Sequence, residues 1–210
     1  MAIALAFFSA RTQAQSEPLR VELGLHFSSI TKPDFDGGKT EVGFGGRFTF
    51  NLNRKLALEA EGNFFPHNCR SCANENVGNL AQGFFGIKAG KRFRKVGIFG
   101  KARPGFVSFS GGEFDLALLP TPPGTLPVLI TNRSRATRIA LDVGGVVELY
   151  HSRRFFTRFD AGDTIIRYSR HTFNGFSLDP ITLVATPFPI MTPAKTRHNF
   201  QFSAGVGIRF

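Results

Sequence analysis

The chain has 210 residues, which suits one domain, and no run in it is long and apolar enough to cross a membrane as a helix. Its 26 Lys and Arg outnumber 15 Asp and Glu, for a formal charge of +11, which points to an acidic partner. Nucleic acid is excluded as that partner, because the cations are scattered through alternating segments and turns and no zinc-finger, helix-turn-helix or RRM pattern occurs; anionic lipid or lipopolysaccharide suits them better.

Residues 1–14 read as a signal peptide. Met1 to Ala10 is almost wholly apolar, too short for a spanning helix, and Thr12 and Ala14 suit the positions before a signal-peptidase cut. The usual basic start is missing and Arg11 comes late, so the true start is expected upstream. An apolar N-terminal strand is the alternative. Residues 15–210 then form the mature domain.

From there the chain alternates with period two, the mark of strands with one apolar and one polar face. Val21, Leu23, Leu25 and Phe27 oppose Glu22, Gly24 and His26. Val42, Phe44, Phe48 and Phe50 oppose Gly43, Gly45, Arg47 and Thr49. Leu56, Leu58, Ala60 and Phe64 oppose Glu59, Glu61 and Asn63, and Ala81, Phe85, Ile87 and Ala89 oppose Gln82, Phe84 and Lys88. Ile98, Ala102 and Phe106 then oppose Lys101, Arg103 and Gly105. Ile139, Leu141, Val143 and Val147 oppose Asp142, Gly144 and Glu148. Phe155, Thr157, Phe159 and Ala161 oppose Arg158, Asp160 and Gly162. The last segment sets Phe200, Phe202, Ala204, Val206, Ile208 and Phe210 against Asn199, Gln201, Ser203, Gly205, Gly207 and Arg209. This makes about eight strands of roughly ten residues, the length of a tilted membrane-spanning strand.

The connections alternate between long and short. Those around Asn53, around Arg92 to Arg94 and at His151 to Arg154 are tight. The others are long, above all "SGGEFDLALLPTPPGTLPVLITNRS" and the stretch from about Arg170 to Thr196. A soluble sandwich or lipocalin-like barrel shares the alternation but has no reason to sort its loops. Outer-membrane barrels do sort them, with short periplasmic turns and long external loops. The fold class is therefore all-β, an eight-stranded antiparallel transmembrane β-barrel with both termini periplasmic. Cys69 and Cys72, in "NCRSC", are expected to close a small disulfide loop in an exported protein. Free thiols are the alternative.

The closing "FSAGVGIRF" is similar to the carboxy-terminal assembly signal of small outer-membrane barrels. With the sorted loops, the chain resembles the small eight-stranded outer-membrane β-barrel family, of the outer-membrane protein A transmembrane-domain and protein X type. The resemblance implies that Phe202, Ala204, Val206, Ile208 and Phe210 face lipid and are read by the outer-membrane insertion machinery. It brings no catalytic motif. One departure lies in the girdles: with no Trp and only Tyr150 and Tyr168, the 25 Phe must supply the aromatic belts.

An apolar face toward lipid sends the charges inside. Arg47, Glu59, Glu61, Lys88, Lys101, Arg103, Asp142, Glu148, Arg158 and Asp160 fall on that inner face. Eight strands leave room for little more than side chains, so these ten are expected to form an ion-pair plug. An ion-conducting lumen is the alternative.

The apolar runs "FDLALLP", "LPVLIT" and "DPITLVATPFPIM" favour strands projecting above the membrane, with an exposed edge for an extracellular protein partner. Loops that pack on each other and cap the barrel are the simpler alternative. His26, Ser28 and Glu22 share one inner face, superficially like a hydrolase set. They point away from lipid, and an interior polar network suits them better. His151, His171 and His198 lack metal-ligand spacing, and no metal or cofactor is expected. The function read from the sequence is a non-enzymatic envelope or surface-interaction role. A narrow porin, marked by conductance, and a lipid A-modifying enzyme, marked by a lipid A mass shift, are the alternatives.

Overall fold

In a computed structural model, residues 20–32, 39–66, 79–119, 128–179 and 185–210 are described. The expected signal peptide, Cys69 and Cys72 lie outside them. The alternating segments become β1 (Val21–Lys32), β2 (Lys39–Asn51), β3 (Leu56–Phe65), β4 (Leu80–Arg92), β5 (Val96–Leu119), β6 (Val128–Tyr150) and β7 (Phe155–Tyr168). They are followed by β8 (His171–Leu178), β9 (Ala185–Thr192) and β10 (Lys195–Arg209). Eight of these close an antiparallel barrel in the order β1-β10-β7-β6-β5-β4-β3-β2, while β8 and β9 form a separate two-stranded sheet. Register at the seam is continuous, from Glu22 opposite Arg209 to Thr31 opposite Phe200.

Side-chain parity follows the sequence pattern on every barrel strand. Leu25, Phe27 and Ile139 stand outward at 72%, 74% and 76% exposure, whereas Glu59, Arg103, Asp142 and Glu148 are fully buried inside. The sorting has an energetic cause. On a wall that meets lipid, as the sequence leads one to expect, an Arg or Lys at mid-bilayer costs about 2–4 kcal/mol and Asp or Glu less, so the polar half of each strand turns to the lumen. Curvature this tight needs small inward residues. Gly144 opposes Gly162 across β6 and β7, and a Cβ on Gly144 would lie 2.3 Å from the carbonyl oxygen of Ala161.

Two features depart from a plain eight-strand wall. First, the longest connection is mostly strand: after an irregularity between Phe109 and Glu113, β5 and β6 stay paired up to Leu119 opposite Val128. Second, the last connection folds as the β8–β9 hairpin, with β8 lying beside β5. The wall also has a gap. Phe84 pairs with Gly105 and Ile87 with Ala102, but pairing lapses at Phe85 and Gly86. Pro104, opposite Phe85 in that register, has no amide hydrogen to give to β4.

Candidate functional site

The barrel interior holds a continuous charged network. All ten residues expected on the inner face are buried there. Near the short-turn end, Lys88 Nζ meets Glu148 at 2.5 Å and Glu22 at 3.6 Å. One level further in, Glu59 receives the Arg158 guanidinium, with Lys88 Nζ at 3.4 Å and Arg103 at 3.3 Å. Arg103 also donates to Glu61 at 2.7 Å and to Asp142 at 2.8 Å. Arg47 bridges Glu61 at 2.6 Å and Asp160 at 3.0 Å, and Lys101 completes the level 3.0 Å from Asp142. Every one of these cations faces at least one carboxylate, the condition for keeping charge in a narrow lumen.

Among the described residues the network has four further members at the short-turn end, of which sequence reading placed Glu22 in an interior polar network and did not assign Arg92, Tyr150 and Arg209 to one. Glu22 pairs with Arg209 at 2.9 Å and Arg92 at 3.0 Å. Tyr150 donates to Glu148 at 2.8 Å and accepts from Arg92 Nε at 2.9 Å, and its ring lies 4.1 Å under the Arg209 guanidinium. Arg92 and Tyr150 lie four and two residues from Lys88 and Glu148 on their own strands, and Glu22 and Arg209 share the parity of Gly24 and Gly205, which face Arg47 and Arg158 in register.

Toward the long-loop end the network gives way first to neutral polar groups, then to an apolar layer. His26 Nε2 lies 2.6 Å from Asn63 Oδ1, Asn63 donates to Glu61 at 2.9 Å, and Gln201 donates to Ser28 at 3.1 Å. His26, Ser28 and Glu22 thus each bond elsewhere and are not brought together as a hydrolase set. Above them Ile30, Phe65, Leu80, Phe84, Val107 and Ile166 pack inside the barrel, with the rings of Phe109 and Tyr168 6.3 Å apart. This layer was not read from the sequence.

On the outer wall, Phe202, Val206, Ile208 and Phe210 are exposed, with Ala204 half-buried among them. A depression of about 950 Å³ lies between Leu25, Phe48, Phe85 and Phe106 over Gly46 and Gly62. At the long-loop end, also facing outward, His198 Nδ1 lies 2.5 Å from Asp163 Oδ2. Asp163 accepts a second bond from the Asn199 amide at 2.9 Å. This pair lines a hollow of about 510 Å³ with Thr31 and Phe200. His151 lies 2.7 Å from Thr157 Oγ1. Among the described residues no three His, Cys, Asp or Glu side chains are grouped to hold a metal ion.

The model of the family described as outer membrane protein beta-barrel domain matches residues 1–210. Among solved structures, Neisserial surface protein A is similar over 90% of this chain and 97% of its own, at 13% identity and a TM-score of 0.54. The outer membrane protein OprG from Pseudomonas aeruginosa is similar over 92% and 97%, at 9% identity and a TM-score of 0.49. No curated protein sequence matches. At such identities the likeness is one of fold.

Proposed function

The chain belongs to the outer membrane protein beta-barrel domain family, and from that premise we propose that it is a non-enzymatic surface barrel that engages an extracellular protein through its projecting strands. The location, the bacterial outer membrane, follows from the family. In this reading the short turns face the periplasm and β5, β6, β8 and β9 stand outside.

One observation carries the reading. Among the described residues β7 ends at Tyr168, and β6 pairs with it only from Ala140 onward, so along the β6 edge from Val128 to Thr137 the ladder pairs are with β5. At about 3.3 Å per residue that edge runs for roughly 33 Å. It is the template for adding an extended segment of another protein. Val128 and Ile130 are exposed along it at 48% and 40%. The other projecting edge is blunted: Pro187 and Pro189 on β9 are two residues apart, so both missing donors fall on one edge. A filled lumen speaks against a porin.

Outward rows such as Phe202 to Phe210 meet lipid and are the surface the insertion machinery reads. Exposed Arg135, Arg167 and Arg170 near the long-loop end suit lipopolysaccharide phosphates.

The test is adhesion. Cells lacking other adhesins would display either the full chain or a variant in which residues 113–134 are replaced by a two-residue turn. Loss of binding to host-cell monolayers by the trimmed barrel is the expected result. Equal binding by both would end the proposal.

A second reading has one specific observation behind it. The Asp163–His198 pair faces outward beside Thr31, and an aspartate that fixes Nδ1 of a histidine leaves Nε2 to act as a base. That reading is ester hydrolysis on a lipid, and it predicts a lipid A mass shift on expression that disappears in Asp163→Asn.

A further inference from the structure

The interior cations are matched by carboxylates almost one for one, so the surplus of positive charge lies elsewhere. Much of it lies at one end. The turn between β2 and β3 carries Arg54 and Lys55, that between β4 and β5 carries Arg94 and Lys95, and that between β6 and β7 carries Arg153 and Arg154. All six are exposed. The three turns contain no Asp or Glu. Along the chain these pairs are far apart, and sequence reading took the cations as scattered. Antiparallel pairing corrects this, because every short turn of an up-and-down barrel falls on the same rim.

The cations do not stand in a purely polar surface. Leu52, Phe93 and Phe155, at 51%, 50% and 55% exposure, are interleaved with them, and Lys91 Nζ lies 5.3 Å over the Phe93 ring. Free-standing apolar side chains among Lys and Arg suit the boundary between hydrocarbon and headgroups, where apolar parts sink and charged ends reach outward. A face built for a soluble acidic polymer has no use for an exposed Leu or Phe in or beside each turn.

We infer that this rim is a binding site for the phosphodiester headgroups of anionic phospholipid in the leaflet nearest the short turns. Arginine donors suit phosphate oxygens in paired geometry, and each cation at an anionic surface is worth on the order of fivefold in association. The rim would hold a shell of anionic lipid around the base of the barrel. Naming that leaflet the periplasmic one rests on the orientation proposed above; the headgroup chemistry does not.

The full chain would be refolded into phosphatidylcholine bilayers carrying spin-labelled phosphatidylglycerol or spin-labelled phosphatidylcholine. The ratio of their association constants at the barrel surface is then measured. The expected ratio is several-fold in favour of phosphatidylglycerol at low salt, collapsing toward one at 1 M salt. Replacing all six turn cations by Gln should abolish the preference, whereas Arg135→Gln, Arg167→Gln and Arg170→Gln at the other end should leave it. A wild-type ratio of one, or a preference kept by the six-Gln variant, overturns the inference. So does co-sedimentation with peptidoglycan that depends on the same six residues while the lipid ratio stays at one. If the six-Gln chain gives no unheated folded band on a gel, the three paired variants are read instead, and no fall in any of them is equally fatal. Labelling of Ser152→Cys on intact cells by an impermeant reagent reports sidedness separately. Labelling there would reverse the orientation and leave the lipid preference standing.

Discussion

The guanidinium of Arg158 on β7 bonds the carboxylate of Glu59 on β3, the strand four places away around a ring of eight. One pair therefore spans the full width of the lumen. Glu59 also receives Arg103 and Lys88, so three cations from three strands converge on one carboxylate.

Removing that carboxylate should be among the most damaging single changes in the barrel. Glu59→Ala is expected to destabilise the fold by about 3–5 kcal/mol, the cost of leaving buried cations unpaired. Urea unfolding in detergent micelles checks this, and a Glu59→Ala/Arg158→Ala cycle should show a coupling above about 1 kcal/mol. Additive losses would mean that the pair is not a unit.

The lumen should not conduct. Beyond the charged levels, Phe65, Leu80, Phe84 and Val107 fill the bore near the long-loop end. A folded sample in a planar bilayer is expected to give no discrete current steps. Reproducible steps would show that both plugs open together, and would restore the porin reading.

Tyr150 holds the short-turn end of the network through its hydroxyl. Tyr150→Phe keeps the ring beneath Arg209 but strips Glu148 of a donor and Arg92 Nε of an acceptor. The expected loss is about 1–3 kcal/mol. An unchanged urea midpoint would show that water takes over the bond.

Pro104 leaves the β4–β5 ladder incomplete, and Pro104→Val should repair it. The outward Val suits lipid, and the new amide restores a bond to the Phe85 carbonyl, for a gain of about 1 kcal/mol. Hydrogen exchange at the amides near Phe85 should slow. Faster exchange there would mean that the gap relieves strain in the wall.

Much of the barrel was legible because burial imposes period two on each strand, and Leu25 and Arg103 declare their sides without any knowledge of neighbours. Height along the barrel axis is another matter. Asn63 and Phe65 have the same parity, yet one sits in the polar level and the other in the apolar layer, and only cross-strand register distinguishes them. The projecting strands were legible from the β-favouring residues of "FDLALLP" and "LPVLIT"; that they continue β5 and β6 across an irregularity, with Leu119 opposite Val128, was not, because cross-strand register leaves no mark on one strand. The basic rim was illegible for a third reason: Arg54, Arg94 and Arg154 come to one rim only through the successive reversals from β2 to β7.

The seam between β1 and β10 sets the order in which the molecule is made. Glu22 faces Arg209 across it, so the first and last strands of the wall meet only at the end of assembly. Until then two strand edges stay open and Glu22 lacks Arg209, one of its two guanidinium partners. A half-built barrel would carry exposed ladders and unpaired charge into a hydrophobic medium, which neither tolerates. Closure is thus the step on which the charged interior and the backbone both become satisfied, and a chain stalled short of β10 gains little from the strands already in place. Stability here is all-or-none, and it accrues to the ring rather than to its staves.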